Sequence, residues 1–354
     1  MEKVLAEELQ ELEFQDLTPI VGGVEFSGDW YQVWRANVYS RTATRILVRL
    51  GEFPAVHLSQ LDKKARKFPW QEYLKAQHPV RVEVVSRKSK IYHARAAAER
   101  IENAIVYSVG NRISQDADIC IKVRIVKNLV KISIDSTGEG LHKRGYKSFT
   151  GKAPIRETLA AAFLRMCNFD PSQPLIDPMC GSGTFVIEAA EIAVGQAPGK
   201  KREFSFQKFK SFDPKAFEML LLDQKIIAKV ELHFSGSDRD NGAIKNSRQN
   251  AESANVSDIT NFNHQPISDL VPLSDQCGLI IFNPPYGSRI GDKKKLYALY
   301  AKIGTVLKSK FPGWRVGLIT SDRSLAKTTQ IKFSFVSEPV SHGGLKVRLY
   351  HATL

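Results

Sequence analysis

A short apolar run, Leu279 to Phe282, constrains the fold more than any other stretch of the sequence. It shows no alternation and includes β-branched residues, which is typical of a strand buried on both faces of a parallel sheet. The run ends at Asn283, Pro284, Pro285 and Tyr286, because two consecutive prolines cannot continue a hydrogen-bonded ladder. Asn283 and nearby carbonyls would then face outwards beside the Tyr286 ring, and Gly287 would let the backbone turn. A planar base could stack on that ring while the acceptors bind its exocyclic amine, although a turn that only ends the strand would give the same pattern.

A second motif, about one hundred residues earlier, predicts the sheet to which this strand belongs. The brief strand Leu175-Ile176 ends at Asp177, Gly181 and Gly183 follow, and residues 185–194 have the apolar spacing of a helix. A strand, a glycine turn and a helix form the first crossover of a doubly wound α/β sheet, which binds ligands at the carboxyl ends of its strands. The glycine spacing matches neither dinucleotide-binding nor phosphate-binding loops. An acid ahead of the glycines instead suits a ligand with an amino group, such as the methionine part of S-adenosylmethionine.

Asp238 gives a third signal at the end of a candidate strand that begins at Leu232. A carboxylate at this position is well placed to accept hydrogen bonds from both ribose hydroxyls of a nucleoside. It could instead cap a helix that starts near Ala243. The three signals occur in the order expected for one binding edge, and each ends a candidate strand.

Charge and composition bound the partners. The 354 residues include 51 Lys and Arg against 37 Asp and Glu, a net charge of +14, and 43% are apolar. This apolar content is typical of a folded protein, and the basic excess favours a nucleic-acid partner through counterion release. No apolar run approaches a membrane span and the amino terminus is acidic, so we expect no membrane association. The four scattered cysteines have neither zinc nor disulfide spacing, so we expect no metal and a reducing cytoplasm.

The chain divides into small α+β units ahead of the doubly wound domain. Residues 1–55 contain predicted helices at 3–12 and 31–40, a hairpin around Gly22-Gly23 and a strand at 46–48. Residues 56–136 contain a helical turn at 70–74, a strand at 80–85, a helix at 94–108 and a hairpin around Lys127-Asn128. Residues 137–152 form a linker rich in turn formers and bases. The domain at 153–354 opens with a helix from Ala153 that has proline in its first turn, and it includes an amphipathic helix at 214–230.

Basic side chains of the second unit could follow a phosphate backbone, although an ordinary charged surface would look alike. The solvent-facing positions are Arg81, Arg87, Lys88, Lys90, Lys122, Arg124, Lys127 and Lys131. We predict that Lys122, Arg124 and Lys127 contact RNA, with Lys143 and Arg144 of the linker. Lys293 and Lys294 could hold phosphates near the target, or belong to a solvated loop.

The motifs resemble those of a known family. The run from Asp177 to Phe185, followed by Asn-Pro-Pro-Tyr, resembles class I S-adenosylmethionine-dependent methyltransferases of amino groups. The segments starting at Leu141 (Leu-His-Lys-Arg-Gly-Tyr) and at Ala153 are similar to THUMP-containing RNA guanine-N2 methyltransferases, closest to the bacterial branch that modifies large-subunit ribosomal RNA. The resemblance covers essentially the whole chain. It implies a ferredoxin-like unit and a THUMP unit before a Rossmann-like methyltransferase domain.

The resemblance also implies roles for matched residues. S-adenosylmethionine would be bound by Asp177, Pro178, Gly181, Gly183, Thr184, Asp238 and Asn283. Asn283 and the Pro284 carbonyl would accept hydrogen bonds from the target amine, while Tyr286 stacks on its ring. Where relatives place an acid that contacts adenine, this chain has Gln265, with Asp258 and Asp269 as nearby candidates to replace it.

We therefore expect methyl transfer to guanine N2, in 23S ribosomal RNA in preference to transfer RNA. The alternatives are adenine-N6 methylation of nucleic acid and a non-catalytic RNA-binding protein of ribosome assembly. Acceptors at Asn283 and Pro284 would stabilise positive charge developing on the amine, so no strong general base is needed. We expect Cys180 to be a small buried residue and not a nucleophile, and His142 to contact RNA or solvent.

Overall fold

The computed structural model describes residues 1–147, 154–223, 234–272, 274–286 and 293–354. Parts of several sequence predictions lie outside these ranges: Ala153, residues 224–230, the pair Leu232-His233 and Gly287. None of the described helices is both long and apolar enough to cross a membrane.

The first unit consists of two helices flanking a hairpin. Its elements are α1 (Glu2–Glu11), β1 (Thr18–Ile20), β2 (Gly23–Glu25) and α2 (Trp30–Tyr39). The two strands pair antiparallel. The Asp29 carboxylate accepts a hydrogen bond from the Gln32 N–H at 3.0 Å and so begins α2. The predicted helices and hairpin of this unit are confirmed.

The second unit is a four-stranded sheet with helices on one face. Its elements are β3 (Leu47–Pro54), α3 (Leu58–Arg66), β4 (Val80–Arg87), α4 (Ala94–Val109), β5 (Ile119–Val126) and β6 (Leu129–Asp135). The strand order is β3-β6-β5-β4, with β4 and β5 parallel and the other pairs antiparallel. Leu61 of α3 and Ile101 of α4 are fully buried with the apolar side chains of one sheet face. The other face carries charged side chains, including Arg81 and Lys122.

Two features of this sheet differ from the sequence prediction. The strand expected at residues 46–48 in the first unit is β3 of the second, since it pairs with β6 from Leu47–Asp135 to Pro54–Leu129. Helix α3 was not predicted, because its sequence LSQLDKKAR carries only three apolar residues, too few for a clear periodic signal.

The third unit is a doubly wound sheet, which confirms the predicted fold class. Its elements are α5 (Glu157–Met166), β7 (Leu175–Asp177), α6 (Thr184–Ala193), α7 (Pro214–Leu222), β8 (Phe234–Asp238), α8 (Asn241–Ala254), β9 (Thr260–His264), β10 (Leu279–Phe282), α9 (Lys293–Lys310), β11 (Arg315–Thr320), α10 (Arg323–Thr328), β12 (Phe335–Val336), β13 (Val340–His342) and β14 (Leu345–Thr353). The strand order is β12-β14-β11-β10-β7-β8-β9. Within this order the five neighbouring strands β11, β10, β7, β8 and β9 run parallel. Helix α5 begins at Glu157, so Pro154 precedes it instead of occupying its first turn.

The segment at residues 197–222 lies in the third unit by sequence but packs into the core of the first two. Phe206 is buried and stacks on Trp34 of α2, with ring centroids 6.1 Å apart. Phe209 and Leu220 join the same hydrophobic cluster. This segment therefore joins the third unit to the hydrophobic core of the first two.

Candidate functional site

The sheet topology brings the three sequence signals to one edge. Asp177 ends β7, Asp238 ends β8 and Asn283 directly follows β10. These strands are neighbours in the order β10-β7-β8 and run parallel, so their carboxyl ends meet. From β7 the chain continues through β8 and β9 on one side, and β10 lies on the other. This is the switch point at which doubly wound sheets bind ligands.

Two glycines shape the loop between β7 and α6. Gly181 and Gly183 have φ values of 52° and 83°, a left-handed conformation that favours glycine. A Cβ on Gly183 would lie 3.1 Å from Phe262 and Ser247, so this position is needed for close packing. A Cβ on Gly181 would meet no described atom within 4 Å, so the backbone there borders open space. A ligand can approach the loop at Gly181.

Asp177 is a buried acid in this loop. Its carboxylate accepts a hydrogen bond from the Met179 N–H at 3.0 Å. Burial raises the pKa of the Asp177 carboxyl well above its usual range, and the nearby Asp238 carboxylate raises it further. A cationic group of a ligand would lower that pKa and stabilise the ionised form. Pro178 follows it and is also buried.

Asp238 holds the glycine loop and does not cap a helix. Its carboxylate accepts hydrogen bonds from the Gly181 N–H at 3.1 Å and the Asp240 N–H at 2.9 Å. Asp240, not Asp238, begins α8 by accepting from Gly242 and Ala243. The alternative role of Asp238 as a helix cap is therefore wrong. Its role as a ribose ligand stays a prediction.

Asn283 presents an unsatisfied acceptor at the centre of this edge. Its Oδ1 atom is buried and has no hydrogen-bond partner within the described ranges. Pro284 is buried and the Pro285 carbonyl accepts a hydrogen bond from the Tyr300 hydroxyl at 3.4 Å, which anchors the turn. Tyr286 is half-buried and packs against two hydrophobic clusters of the sheet. A buried acceptor without a donor costs free energy, so Asn283 is suited to a ligand that supplies an N–H.

The three candidates for a contact with adenine, Gln265, Asp258 and Asp269, lie at different positions relative to the binding edge of the sheet. Gln265 follows β9 at the same edge, is half-buried, and donates its N–H to the Asp238 carbonyl at 3.1 Å. Asp258 lies in the 3-10 turn Ser257–Ile259, before β9 and hence at the opposite edge of the sheet, which removes it as a candidate. Asp269 follows β9 in the turn Ile267–Asp269 and is exposed.

A buried ion pair missed by the sequence predictions reaches the glycine loop from the linker. The Lys147 ammonium donates to the Glu157 carboxylate and to the Thr184 hydroxyl, both at 2.8 Å. Thr184 is the first residue of α6, directly after the loop, and Glu157 is the first residue of α5. No motif spacing points to this trio, since its members are distant in sequence. It ties linker, α5 and α6 together behind the loop.

Two further sequence predictions concern reactive side chains. Cys180 is buried, and burial raises the pKa of its thiol well above its usual range, in agreement with a structural residue. His142 is half-buried, and desolvation lowers the pKa of its imidazole. Within the described ranges, no group of three or more His, Cys, Asp or Glu side chains could hold a metal ion.

The basic residues predicted to contact RNA lie in different environments. Arg124, Lys127, Lys293 and Lys294 are exposed, whereas Lys122 pairs with Glu83 at 2.6 Å and Lys143 pairs with Glu139. Arg144 is only 3% exposed and donates to Glu188 of α6 at 3.2 Å. The prediction that Arg144 contacts RNA is therefore wrong, because its guanidinium is buried and donates its hydrogen bonds to groups of the protein.

Known proteins with similar sequences were found over the whole chain. The family model described as RMKL-like, methyltransferase domain, matches residues 144–350, the RlmL ferredoxin-like domain matches residues 1–47, and the THUMP domain matches residues 55–135. A putative RNA methyltransferase of Synechocystis sp. is 33% identical over 99% of this chain and 93% of its own length. These matches confirm the resemblance inferred from the motifs.

Two other comparisons bear on length and fold. The ribosomal RNA large subunit methyltransferase K/L of Vibrio cholerae is 33% identical over 94% of this chain, which spans only 49% of that protein. A solved structure of a putative methyltransferase complexed with SAH superposes with a TM-score of 0.90 at 30% identity, covering 99% of this chain and 95% of the other.

Proposed function

The chain belongs to the family of RMKL-like methyltransferases, and on that premise we propose that it methylates the exocyclic N2 amine of a guanine in 23S ribosomal RNA. S-adenosylmethionine is the cofactor of this methyltransferase family. A THUMP domain precedes the methyltransferase domain in this chain. The observation that carries the proposal is the buried Oδ1 of Asn283 at the switch point of the sheet, which has no hydrogen-bond partner among the described residues. An enzyme acting on ribosomal RNA in this way would work in the cytoplasm.

The residues at the edge fit the cofactor. Open space borders the Gly181 backbone, and burial raises the pKa of the Asp177 carboxyl, so a cationic group of a ligand would stabilise its ionised form. Asp177 would hold the cationic methionine end, Asp238 the ribose and Gln265 the adenine amine. Bound there, the cofactor supplies an electrophilic methyl group on a sulfonium.

Asn283 and Pro284 then act on the target amine. The lone pair of a guanine N2 amine is delocalised into the ring, so the amine is a weak nucleophile. Acceptors at Asn283 Oδ1 and the Pro284 carbonyl would orient its N–H groups and stabilise positive charge as it develops on nitrogen. Because these acceptors sit on a proline-fixed turn, they need little reorganisation. The methylated amine is acidic enough to lose its proton to water.

Tyr286 would position the base by stacking. Its ring is half-buried against the sheet, so one part is covered by protein and the rest can meet a base. A base within a helix cannot reach this turn, so the target nucleotide would have to be flipped out or lie in a loop.

The test uses S-adenosylmethionine with an isotopically labelled methyl group. The protein is incubated separately with unmodified ribosomal RNA, transfer RNA and DNA, and the nucleosides are analysed by mass spectrometry. We expect labelled N2-methylguanosine from 23S ribosomal RNA alone. Label in transfer RNA would change the substrate, and label in N6-methyladenosine would overturn the base assignment.

Absence of label from every nucleic acid would contradict the enzymatic proposal when the protein also fails to bind S-adenosylmethionine in calorimetry. That pair of results would favour a non-catalytic RNA-binding protein. Asn283→Ala serves as the matched negative control, because it removes one acceptor and leaves the glycine loop intact.

A further inference from the structure

The open face of the THUMP sheet divides into two parts with different charge pairing. At its centre, Glu83 forms ion pairs with both Arg81 and Lys122. These cations hold the pKa of the Glu83 carboxyl down to about 2, with the Lys122 hydrogen bond the largest cause. Lys131 pairs with Glu52 at 3.5 Å. Arg81, Lys122 and Lys131 are therefore matched by acids within the protein, whereas the exposed Arg124 of the same face has no ion pair among the described residues.

The end of the same sheet carries unmatched positive charge. We define the basic tip as Arg87, Lys88, Lys90, Tyr92, His93 and Lys127, where β4 ends beside the β5–β6 turn. All six are exposed. Its four cations have no ion pair within the described ranges. No Asp or Glu occurs at residues 84–98 or 119–134, so the local charge is uniformly positive. Such a surface attracts a polyanion.

Hydrogen bonds fix the shape of the basic tip. The Asn128 side-chain oxygen accepts from the Lys90 N–H at 2.8 Å, and the Asn128 N–H donates to the Ser89 hydroxyl at 3.1 Å. Lys88 and Lys127 adopt left-handed φ values of 48° and 50°. Glycine occupies this conformation at lower cost, so lysine at both positions keeps charge at the expense of backbone strain.

An exposed aromatic pair stands beside these cations. The Tyr92 side chain is 73% exposed, and its ring centroid lies 4.2 Å from that of His93. Ile91, the preceding residue, is buried and anchors the pair to the domain. An exposed aromatic face next to cations is the arrangement on which unpaired bases stack while phosphates contact lysines.

We propose that the basic tip binds single-stranded RNA, with a base stacked on Tyr92 and phosphates held by Lys88, Lys90 and Lys127. The proposal rests on the proposed RNA substrate and gives it a docking point away from the methyl-transfer edge. A single strand is favoured over a duplex because stacking on Tyr92 needs an unpaired base. Lys122, at the neutralised centre, contributes little to this surface.

The charge part of the proposal is tested with the full chain and a fluorescein-labelled single-stranded 12-nucleotide RNA. Anisotropy titrations at several KCl concentrations compare the wild type with the triple variant Lys88→Gln, Lys90→Gln, Lys127→Gln. The matched control is Lys302→Gln, Lys308→Gln, Lys332→Gln, which removes the same charge from exposed positions of the catalytic domain. We expect the slope of log Kd against log salt to fall by about 2 in the tip variant only, at roughly 0.7 per lost phosphate contact. Equal slopes in the two triple variants would overturn the proposal.

The stacking part is tested with Tyr92→Ala and Tyr92→Phe. Loss of the ring should weaken RNA binding about tenfold with an unchanged salt slope, since the stacking of one base is lost and no charge is removed. The Phe variant keeps the ring and should bind within about twofold of the wild type. Wild-type affinity in Tyr92→Ala would remove the stacking role.

Parallel methyl-transfer assays keep this proposal separate from the enzymatic one. If the wild type methylates ribosomal RNA and the tip variants bind the 12-nucleotide RNA like the wild type, the docking proposal fails and the function stands. If the wild type binds this RNA through the tip but transfers no methyl group to any RNA, the docking proposal stands and the enzymatic function fails.

Discussion

At the scale of single residues, Asn283 differs from Asp177 and Asp238 because its side-chain oxygen has no hydrogen-bond partner among the described residues. Asp177 accepts from Met179, and Asp238 accepts from Gly181 and Asp240. The Oδ1 of Asn283 is buried and accepts no hydrogen bond within the described ranges. The first two side chains thus hold the glycine loop in place, whereas Asn283 would, on the proposed function, accept a hydrogen bond from a substrate N–H.

We predict that Asn283→Ala lowers kcat at least 100-fold and changes the calorimetric Kd of S-adenosylmethionine less than threefold. Loss of one preorganised hydrogen-bonding group at a site of developing charge typically costs about 100- to 1,000-fold in rate. Labelled methyl transfer and calorimetry on the same preparation give both quantities. A large loss of cofactor affinity would assign Asn283 to cofactor binding instead.

The ion pair between Lys147 and Glu157 should contribute to the stability of the fold. Its side chain is 10% exposed and that of Glu157 6%, so the ion pair is shielded from solvent. Removing one partner leaves the other charge buried alone, which typically costs about 3–5 kcal/mol. We predict such a loss in the unfolding free energy of Lys147→Met, measured by urea denaturation.

The double variant Lys147→Met, Glu157→Gln is the control, since it buries no lone charge. It should recover part of the lost stability. A double variant no more stable than Lys147→Met would show that packing of the lysine stem, and not its charge, supports the glycine loop.

At the scale of elements, substitutions in the β5–β6 turn should distinguish effects on folding stability from effects on RNA binding. Lys127 has a left-handed φ of 50° and Asn128 one of 65°, in a two-residue hairpin loop. Lys127→Asn should keep the unfolding free energy within about 0.5 kcal/mol, because Asn tolerates this conformation. Lys127→Val should lose about 1–2 kcal/mol. Both variants lose the same charge, so thermal denaturation should distinguish them while RNA titrations do not.

The elements that the sequence predicts well are those whose signal is local. The hairpin around Lys127-Asn128 and the strand before Asn283 depend on turn residues and apolar runs that are read within ten residues. Assignment of β3 to its sheet depends on pairing with β6, whose residues lie from 75 (Pro54–Leu129) to 88 positions (Leu47–Asp135) further along the chain. Contacts between residues that are distant in sequence leave no local pattern. For this reason the Lys147 ion pair was not predicted, and Arg144, which is buried against α6, was predicted to be a surface base.

At the scale of the whole molecule, an ion network joins the first unit to α6. Glu188 is fully buried and accepts from Arg41 at 2.8 Å and from Arg144 at 3.2 Å. Glu191, one turn later, lies 3.7 Å from Arg41 and accepts from Gln196. Because α6 begins at Thr184, directly after the glycine loop, this network connects the amino-terminal units to the helix that follows that loop.

Glu191 should make the stability of this junction depend on pH. Burial raises the pKa of its carboxyl to about 7, and the Glu188 carboxylate adds to the shift. The folded protein therefore retains a proton that the unfolded chain releases near pH 4.5. The resulting contribution to the unfolding free energy is full below pH 4.5 and is lost as the pH rises to about 7. Glu191→Gln should gain about 1–3 kcal/mol over the wild type between these limits, measured by urea denaturation. Parallel pH profiles would contradict this.

The sharing of core residues makes the amino-terminal units dependent on the catalytic domain. Phe206 and Phe217 pack around Trp34, with ring centroids 6.1 Å and 6.4 Å from it. A fragment of residues 1–147 loses these rings, and removal of one large buried aromatic side chain already costs about 3–5 kcal/mol. We predict that this fragment unfolds without cooperativity when heated alone and regains a cooperative transition with a peptide of residues 197–223. The control peptide carries Phe206→Ala and Phe217→Ala and should not restore it. A fragment that unfolds cooperatively at the same temperature with and without the peptide would show that the THUMP unit is autonomous, and that its packing on the catalytic domain only orients the two.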